Sequence, residues 1–363
     1  MSYIIHRDCR HFRGHIPCKP HKEHEAVCDG CLYYAPFKER ILIIKLAAVG
    51  DVIRTTALLR KLRTEFPDAW ISWLTETPVV VPTRSFDKHG VDEVLKWGYD
   101  STLIAAETLW DWVIVLDKDR EACALANRLK TKKLSGYRLQ DGLPAPADDL
   151  ALDKFITGID DFKNRANTLS YPQEIFRICG YEWQGEEYVF DPRRDQPLPE
   201  GVPARKPVIG LNTGCAPRWK TRLWPFEYWE DLTILLSQKG YSVLLLGGPD
   251  EDERNTALAS EGNAAYLGHF PLPQFIRLMG ECDVVVSAVT MAMHIAIGLQ
   301  KRLVLFNNIF NPKEFELYGR GEIIEPHPPC ECTFPLACDK NCMSRITPEV
   351  VFDAVERQAA ALR

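Results

Sequence analysis

Residues 41–66 read ILIIKLAAVGDVIRTTALLRKLRTEF, and this stretch decides the predicted fold. Residues 41–44 are an aliphatic, mostly β-branched run, typical of a strand buried on both faces of a parallel sheet. Small residues at 47–50 indicate a tight turn, and apolar residues between 52 and 66 recur on one face of a predicted helix. This order places Asp51 at the carboxyl end of a strand, where open α/β sheets bind ligands. Aspartate also caps helices, and the stretch alone favours that role for Asp51 over catalysis.

Length and composition describe a soluble globular protein of two domains. The chain has 363 residues, of which 46% are hydrophobic and 26% charged. The formal net charge of −6 argues against nucleic acid as a partner. The first ten residues lack the apolar core of a secretory signal, and no apolar run approaches the ~20 residues that span a bilayer. We therefore expect a cytoplasmic protein.

Alternating strand and helix patterns divide the chain into three parts. Strands and helices alternate from residue 41 to about 148, with a strand predicted at 79–81, one helix at 52–66 and a break at 142–147. The pattern restarts at residue 207. We predict a head at residues 1–38, a first Rossmann-like domain at 39–165 and a second one at 166–363. The second domain would begin with a linker helix at about 166–190, and its last helix would pack back.

Neither half carries a dinucleotide or phosphate-loop fingerprint. The motifs G-x-G-x-x-G and G-x-x-x-x-G-K-[ST] are both missing after the first strand of each half. Their absence argues against a dehydrogenase and against a P-loop enzyme. Two doubly wound halves without these motifs are the layout of a glycosyltransferase with the two-Rossmann, or GT-B, fold, in which the two domains face each other across a cleft.

Cysteines concentrate at both ends of the chain. In a cytoplasmic protein, twelve cysteines indicate metal or thiol chemistry before disulfides. The head has the C-x-x-C spacing of a zinc or iron site and so little apolar sequence that a metal would supply its folding energy. The spacing leaves zinc and iron open, as well as thiol pairing in a flexible tail. The predicted head ligands are Cys9, Cys18, Cys28 and Cys31, and a possible second cluster is Cys330, Cys332, Cys338 and Cys342.

Several stretches in order resemble glycosyltransferase family 9, the bacterial heptosyltransferases. The resemblance covers roughly residues 40–363 and leaves out the cysteine head. It rests on the strand–turn–Gly-Asp-Val–helix element, the second-domain opening with Trp-Pro, the strand ending in Gly-Gly-Pro, the Met-His helix start and the closing cysteine and Thr-Pro-Glu motifs. These lie at 41–59, 209–225, 245–251, 290–294 and 329–349.

The resemblance implies an inverting transfer of a heptose from ADP-heptose to a hydroxyl, usually on the lipopolysaccharide inner core. It implies that Asp51 is the general base, which reverses the preference for a cap, and that no divalent metal is needed for the transfer. A cytoplasmic enzyme that associates peripherally with the inner membrane would reach such an acceptor. The residues implied to bind the donor through phosphate, ribose or backbone contacts are Gly214, Lys220, Arg222, Asp250, Glu251, Thr290, Met291 and His294.

One departure from the family pattern concerns the donor loop. Where the family has Asp-[Ser/Thr]-Gly before Met-His, this chain has Val289, Thr290 and Met291. The acidic group that would bind donor hydroxyls is absent there. Two alternatives to the lipopolysaccharide enzyme stay open, and the altered donor loop favours the second of them. One is a protein-directed glycosyltransferase, like the related branch that modifies autotransporters and carries a cysteine-bound iron; the other is a metal-bearing binding or scaffold protein with a degenerate donor site.

Overall fold

A computed structural model of the chain describes residues 3–215, 217–330 and 340–362, with only the backbone described at 217–219. Within these residues, twelve strands form two separate six-stranded sheets. Helices follow most of the parallel strands in both sheets. The predicted α/β architecture with two Rossmann-like units is therefore confirmed.

The first sheet has the strand order β3-β2-β1-β4-β5-β6. Neighbouring strands are parallel except for the last pair, β5 and β6, which is antiparallel. The strand predicted at residues 41–44 is β1, and it lies at the centre of the sheet with every one of those side chains buried. The strands are β1 Arg40–Ile44, β2 Trp70–Thr75, β3 Glu93–Lys96, β4 Leu109–Val115, β5 Lys130–Gln140 and β6 Leu143–Pro146.

Eight α-helices accompany this sheet and the head in the described part of the chain. The helix α8, which lies in the predicted linker, packs against α2 and α3 of the first unit. The domain boundary at residue 165 stays a prediction. The helices are α1 Lys19–His24, α2 Val49–Thr55, α3 Ala57–Glu65, α4 Tyr99–Glu107, α5 Arg120–Ala126, α6 Leu152–Thr157, α7 Asp161–Ala166 and α8 Tyr171–Ile178.

The second sheet is parallel throughout, with the order β12-β11-β10-β7-β8-β9. Its four central strands are buried on both faces, so their side chains alternate between two apolar layers. Val284 and Val286 of β10 belong to the layer beneath α9 and α13, whereas Val285 faces the layer that continues into the first unit. The strands are β7 Val208–Asn212, β8 Ser242–Leu246, β9 Ala265–Tyr266, β10 Val284–Ala288, β11 Arg302–Phe306 and β12 Gly321–Ile324.

The described residues of the second unit contain five α-helices. The last of them, α13, packs on α9 and on strands β10 to β12. The helix α9 ends at Gly240, whose φ of 88° is the left-handed conformation that glycine adopts easily at a helix end. The helices are α9 Phe226–Lys239, α10 Asp252–Ser260, α11 Leu272–Met279, α12 Met291–Gly298 and α13 Pro348–Ala360.

Three local predictions are wrong. Residues 79–81 do not form a strand: Pro78–Val80 is a 3-10 helix, and the prolines at 78 and 82 deprive this stretch of two backbone donors. The helix predicted over 52–66 is two helices that meet at Thr56, whose hydroxyl donates to the carbonyl of Ile53 at 2.6 Å. The predicted break at 142–147 contains strand β6.

Candidate active site

A cavity of about 720 Å³ opens between the two units. One wall is the start of α2, directly after β1, and the other is made by the loops after β7, β8 and β10. These are the carboxyl ends of parallel strands, where α/β sheets bind ligands. Eight of the nine predicted site residues line this cleft, namely Asp51, Gly214, Arg222, Asp250, Glu251, Thr290, Met291 and His294.

Asp51 is the third residue of α2, and its two carboxylate oxygens have different partners. One carboxylate oxygen accepts a long hydrogen bond, 3.4 Å, from the backbone nitrogen of Ala48, which caps the helix. The other oxygen lies 2.8 Å from a guanidinium nitrogen of Arg54. Burial raises the pKa of Asp51, but the positive charges of Arg54 and Lys45 outweigh it and the net pKa lies below the usual range. The carboxylate is therefore ionised, and its side chain keeps 35% of its surface exposed.

Arg54 links the two units at the floor of the cleft. Its guanidinium also lies 2.8 Å from a carboxylate oxygen of Glu314 in the second unit, and it stacks on the ring of Tyr171 at 3.6 Å. Burial lowers the pKa of Arg54, but Asp51 and Glu314 outweigh burial and raise it. Arg54 therefore stays charged and holds Asp51 in one orientation.

His294 is buried on α12 and packs directly on Gly50 of α2. A side-chain carbon at Gly50 would lie 2.6 Å from the His294 ring, so only glycine permits this approach of the two units. Burial, with Arg54 nearby, lowers the pKa of His294 to about 3. The imidazole is therefore neutral at physiological pH, and its Nδ1 lies 3.4 Å from the hydroxyl of Tyr188.

The two basic residues predicted to bind phosphate lie in different surroundings. Arg222 is buried in the cleft wall, where its guanidinium donates to the backbone carbonyl of Val289 and faces the ring of Phe310 at 5.4 Å. Burial lowers the pKa of Arg222. Lys220 is exposed and is not among the residues that line the cleft. Arg222 is thus the predicted cation that the structure brings to the donor loop.

The two acidic residues after β8, Asp250 and Glu251, also lie in different surroundings. Glu251 accepts a hydrogen bond of 2.8 Å from the backbone nitrogen of Gly248, and it packs on Gly214 so closely that a side-chain carbon there would lie 1.9 Å from its carboxylate. Asp250 lines the cleft with an exposed side chain. Gly214 is therefore required by Glu251, and Asp250 is the member of the pair open to a ligand.

Sequence reasoning missed Arg54, Glu314 and the tyrosines at 171 and 188. Arg54 follows Asp51 by three residues, which is the helical spacing of an ion pair, and this signal could have identified it. Glu314 is 260 residues away from Arg54, and its role depends on how the two units are assembled. No local pattern points to it.

The predicted head ligands Cys9, Cys18, Cys28 and Cys31 all line a second cavity of about 320 Å³. In the described part of the chain, no group of three or more His, Cys, Asp or Glu side chains is arranged to hold a metal ion. Of the possible second cluster, Cys332 and Cys338 lie outside the described residues. The Sγ atoms of Cys330 and Cys342 are 3.0 Å apart.

The fold and the cleft define the class of protein. Two Rossmann-like units face each other across a cleft with a fixed carboxylate on one side and a helix start on the other, as in glycosyltransferases of the GT-B type. Residues 107–326, more than half of the chain, match the family described as glycosyltransferase family 9 (heptosyltransferase). The chain belongs to this family, and the resemblance seen in the sequence is confirmed.

Two curated relatives carry the same description. Lipopolysaccharide heptosyltransferase 1 of Pseudomonas aeruginosa is 23% identical over 367 residues, which covers 89% of this chain and 98% of the relative. Lipopolysaccharide heptosyltransferase 1 of Escherichia coli O18:K1:H7 is 24% identical over 340 residues, with coverages of 88% and 98%. The chain therefore spans nearly the whole length of both relatives.

Solved structures confirm the fold. The E. coli heptosyltransferase WaaC with ADP-2-deoxy-2-fluoro heptose aligns with a TM-score of 0.61 and 17% identity, over 88% of this chain and all of WaaC. The iron-containing dodecameric glycosyltransferase TibC from enterotoxigenic E. coli aligns with a TM-score of 0.52 and 12% identity, over 90% of this chain and 77% of TibC. Helices long and apolar enough to cross a membrane are not found among the described residues.

Proposed function

We propose that this cleft transfers a heptose from ADP-heptose to a hydroxyl of the lipopolysaccharide inner core, with inversion at the anomeric carbon. The observation that carries the proposal is the setting of Asp51. It is an ionised carboxylate, partly exposed to the cleft, oriented by Arg54 and placed across from the start of α12. The descriptions of the two curated relatives support the choice of donor and acceptor.

Asp51 is the proposed general base. The acceptor oxygen bonds to the anomeric carbon while its proton passes to an Asp51 carboxylate oxygen. The bond from the anomeric carbon to the phosphate oxygen breaks, and its electrons leave on ADP. A single in-line displacement of this kind inverts the anomeric configuration. The pair with Arg54 keeps the carboxylate deprotonated and fixed, so the base is ready when the acceptor arrives.

The second unit is the proposed site for the leaving diphosphate. Backbone nitrogens at the start of a helix attract anions, and the first turn of α12, which follows Thr290, contains no acidic residue. Arg222 adds positive charge beneath the same loop, where it holds the carbonyl of Val289. Since these groups can balance the charge on the diphosphate, we expect no requirement for a divalent cation. Asp250 is the proposed acceptor for ribose hydroxyls, because Glu251 is engaged by Gly248.

The acceptor is proposed to reach the cleft beside α6 and α7. Ile159 and Phe162 in this segment are large apolar side chains that are 68% and 85% exposed. Asn311 of the second unit holds this segment, because its side chain donates to the carbonyls of Asn164 and Asn167, each at 2.7 Å. A lipid-linked acceptor suits this surface, and we propose a cytoplasmic protein that works peripherally at the inner membrane.

The head is proposed to bind metal through its four cysteines. Its support is that thiols separated by up to 22 positions in the sequence surround one cavity. This property is independent of the transferase proposal, because no head residue from position 3 onward is among those that line the active-site cleft.

The transferase proposal is tested by incubating the full chain with a panel of nucleotide sugars and inner-core acceptors. Intact-mass analysis should show one added heptose per acceptor with ADP-heptose as donor, with ADP released and activity retained in EDTA. Proton NMR of the product should show the inverted anomeric configuration. Transfer only to a protein acceptor would favour the protein-directed alternative. ADP binding without turnover of any donor would favour the binding protein.

A further inference from the structure

A buried ion pair lies beside the turn that leads to Asp51, and the transfer mechanism proposed above gives it no role. Lys45 directly follows β1, and Asp117 lies two residues beyond the neighbouring strand β4. Each is 5% exposed, and the Lys45 ammonium donates to a carboxylate oxygen of Asp117. Removing two charges from water is costly, and apolar side chains of similar size are often as stabilising as a buried pair. Stability of the fold alone therefore does not explain the pair.

The pair binds two backbone groups of the turn between β1 and α2. The Lys45 ammonium also donates to the backbone carbonyl of Ala47. The second carboxylate oxygen of Asp117 accepts from the backbone nitrogen of Leu46. On the other side of β1, the carbonyl of Leu46 accepts from the hydroxyl of Thr75 in β2 at 3.0 Å. The turn is therefore held from both neighbours of the central strand.

The position of this turn decides where Asp51 lies. Helix α2 begins at Val49, directly after the turn, and Asp51 is its third residue. The backbone nitrogen of Ala48, the last residue before the helix, donates to the Asp51 carboxylate at 3.4 Å. A shift of the turn would therefore move the carboxylate relative to the cleft. Lys45 and Asp117 are not among the residues that line the cleft, so they can act on the reaction only through Asp51.

The charge of Lys45 also acts on Asp51. Burial lowers the pKa of Lys45, but nearby acidic groups, Asp117 and Asp51 among them, outweigh burial and raise it, so the ammonium stays charged. In return, the positive charges of Arg54 and Lys45 hold the pKa of Asp51 below its usual range although burial raises it. The other titratable groups near Asp51 are His294, Glu314 and Tyr188. A second buried cation thus favours the ionised carboxylate that can accept a proton.

We propose that Lys45 is a positioning residue for Asp51, because it fixes the turn before α2 through Ala47 and adds a fixed positive charge near the carboxylate. Asp117 is the second member of this device, since it holds both the ammonium and the backbone of Leu46. The ammonium keeps its protons while the acceptor proton passes to Asp51. This inference rests on the transferase function proposed above and deepens it with two residues that do not touch substrate.

The test is steady-state kinetics of the full chain carrying Lys45→Met together with Asp117→Asn, a double variant that leaves no member of the pair as an unpaired buried charge. We expect kcat per folded molecule to fall by about tenfold or more, because a displacement of ~1 Å can cost up to ~10²-fold. The KM for ADP-heptose should change by less than about twofold, since the donor is proposed to bind the second unit. The matched control is Arg63→Met with Asp92→Asn, a buried pair at the other end of the sheet, which should keep kcat.

A second readout does not depend on turnover. In protein with ¹³C-labelled aspartate carboxyls, the Asp51 resonance is identified by its loss in Asp51→Asn. It should begin to titrate at a higher pH in the Lys45→Met double variant than in the unaltered protein, because Lys45 is one of the charges that lower its pKa. An identical titration, or an unchanged kcat, would overturn the positioning role. Absence of heptose transfer by the unaltered protein would overturn the transferase proposal, whereas the titration would still test the effect of Lys45 on Asp51.

Discussion

Two carboxylate–arginine clusters occupy opposite ends of the first sheet. At the amino end, Asp92 is 6% exposed and each of its oxygens lies against an arginine, Arg10 at 2.5 Å and Arg63 at 2.7 Å. At the carboxyl end, Asp51 is 35% exposed and shares Arg54 with Glu314. The first carboxylate has its hydrogen-bonding capacity used by the protein, whereas the second keeps part of it directed into a cleft. The same kind of ion pair thus stabilises the fold at one end of the sheet, whereas at the other end it leaves a carboxylate open to the cleft.

The largest expected effect is on turnover at the carboxyl end. Asp51→Asn removes the proposed base but keeps a side chain of the same shape that can cap α2, so kcat should fall by about 10²–10⁴-fold with little change in the midpoint of thermal unfolding. Steady-state kinetics with ADP-heptose measure this. The matched control is Asp119→Asn, an exposed residue at the start of α5, which should be unaffected. Turnover close to that of the unaltered protein would remove Asp51 from the chemistry.

At the amino end, the expected effect is on stability. Asp92→Asn leaves the buried guanidinium of Arg63 without its charge partner and weakens the attachment of Arg10, and breaking a buried pair typically costs about 3–5 kcal/mol. The free energy of unfolding in urea should fall accordingly, and limited proteolysis should cut the head first. Asp100→Asn, on the exposed first turn of α4, is the control. An equal response of both variants would show that the Asp92 cluster adds no stability.

Between the two units, Gly50→Ala tests whether the cleft depends on close packing. The added carbon would meet the His294 ring at 2.6 Å and must push α2 away from α12, so Asp51 would move relative to the donor. A displacement of about 1 Å can reduce the rate by up to ~10²-fold. Kinetics of Gly98→Ala supply the control, because a carbon at Gly98 meets nothing within 4 Å. Identical kinetics of the two variants would argue against this dependence.

The buried imidazole of His294 gives a pH dependence of stability. Its pKa is about 3 in the folded chain and about 6.5 in an unfolded one, so the unfolded state binds more protons between these values. Stability should therefore decrease as the pH falls from 6.5 toward 3, by up to ~1.4 kcal/mol per pH unit. Urea unfolding at pH 7 and pH 5 measures the difference, which should shrink in His294→Gln. Arg54, Asp51 and Glu314 face the same ring, and an unchanged slope in the variant would assign the effect to them.

The smallest expected effect concerns the donor loop. Val289 lines the cleft with an apolar side chain where the family pattern has an aspartate, while its carbonyl is held by Arg222. We expect the site to bind ADP well and to recognise the donor sugar only weakly. Calorimetry should therefore give affinities for ADP and ADP-heptose that differ by no more than about tenfold, or 1.4 kcal/mol. A strong preference for ADP-heptose that disappears when Asp250 or another acidic residue is replaced would show that the carboxylate has moved elsewhere.

Of the two carboxylate–arginine clusters, local sequence patterns predicted only the position of Asp51. Asp51 could be predicted because a buried strand, a tight turn and a helix follow one another within 26 residues, and this order fixes where the carboxylate lies. The partner Glu314 and the attachment of Arg10 to Asp92 join residues 260 and 82 positions apart, and such contacts depend on tertiary assembly. The helix break at Thr56 was missed because helical periodicity continues through it.

The cysteine head was also only partly predictable from local sequence patterns. The clustering of its cysteines predicted a shared site, and the four predicted ligands do line one cavity. That the four thiols line the same cavity could not be read from their spacing alone. Arg10 contributes to the attachment of the head at the amino end of the sheet, and it belongs to no motif of its own.

The most direct test of the comparison is single-turnover heptose transfer by the unaltered protein, Asp92→Asn and Asp51→Asn, at saturating ADP-heptose and at a temperature where all three are folded. We expect Asp92→Asn to transfer at the unaltered rate per folded molecule, whereas Asp51→Asn should bind ADP normally and transfer at least about 10²-fold more slowly. Equal transfer rates for Asp51→Asn and the unaltered protein would contradict the claim that the carboxyl-end cluster carries the chemistry.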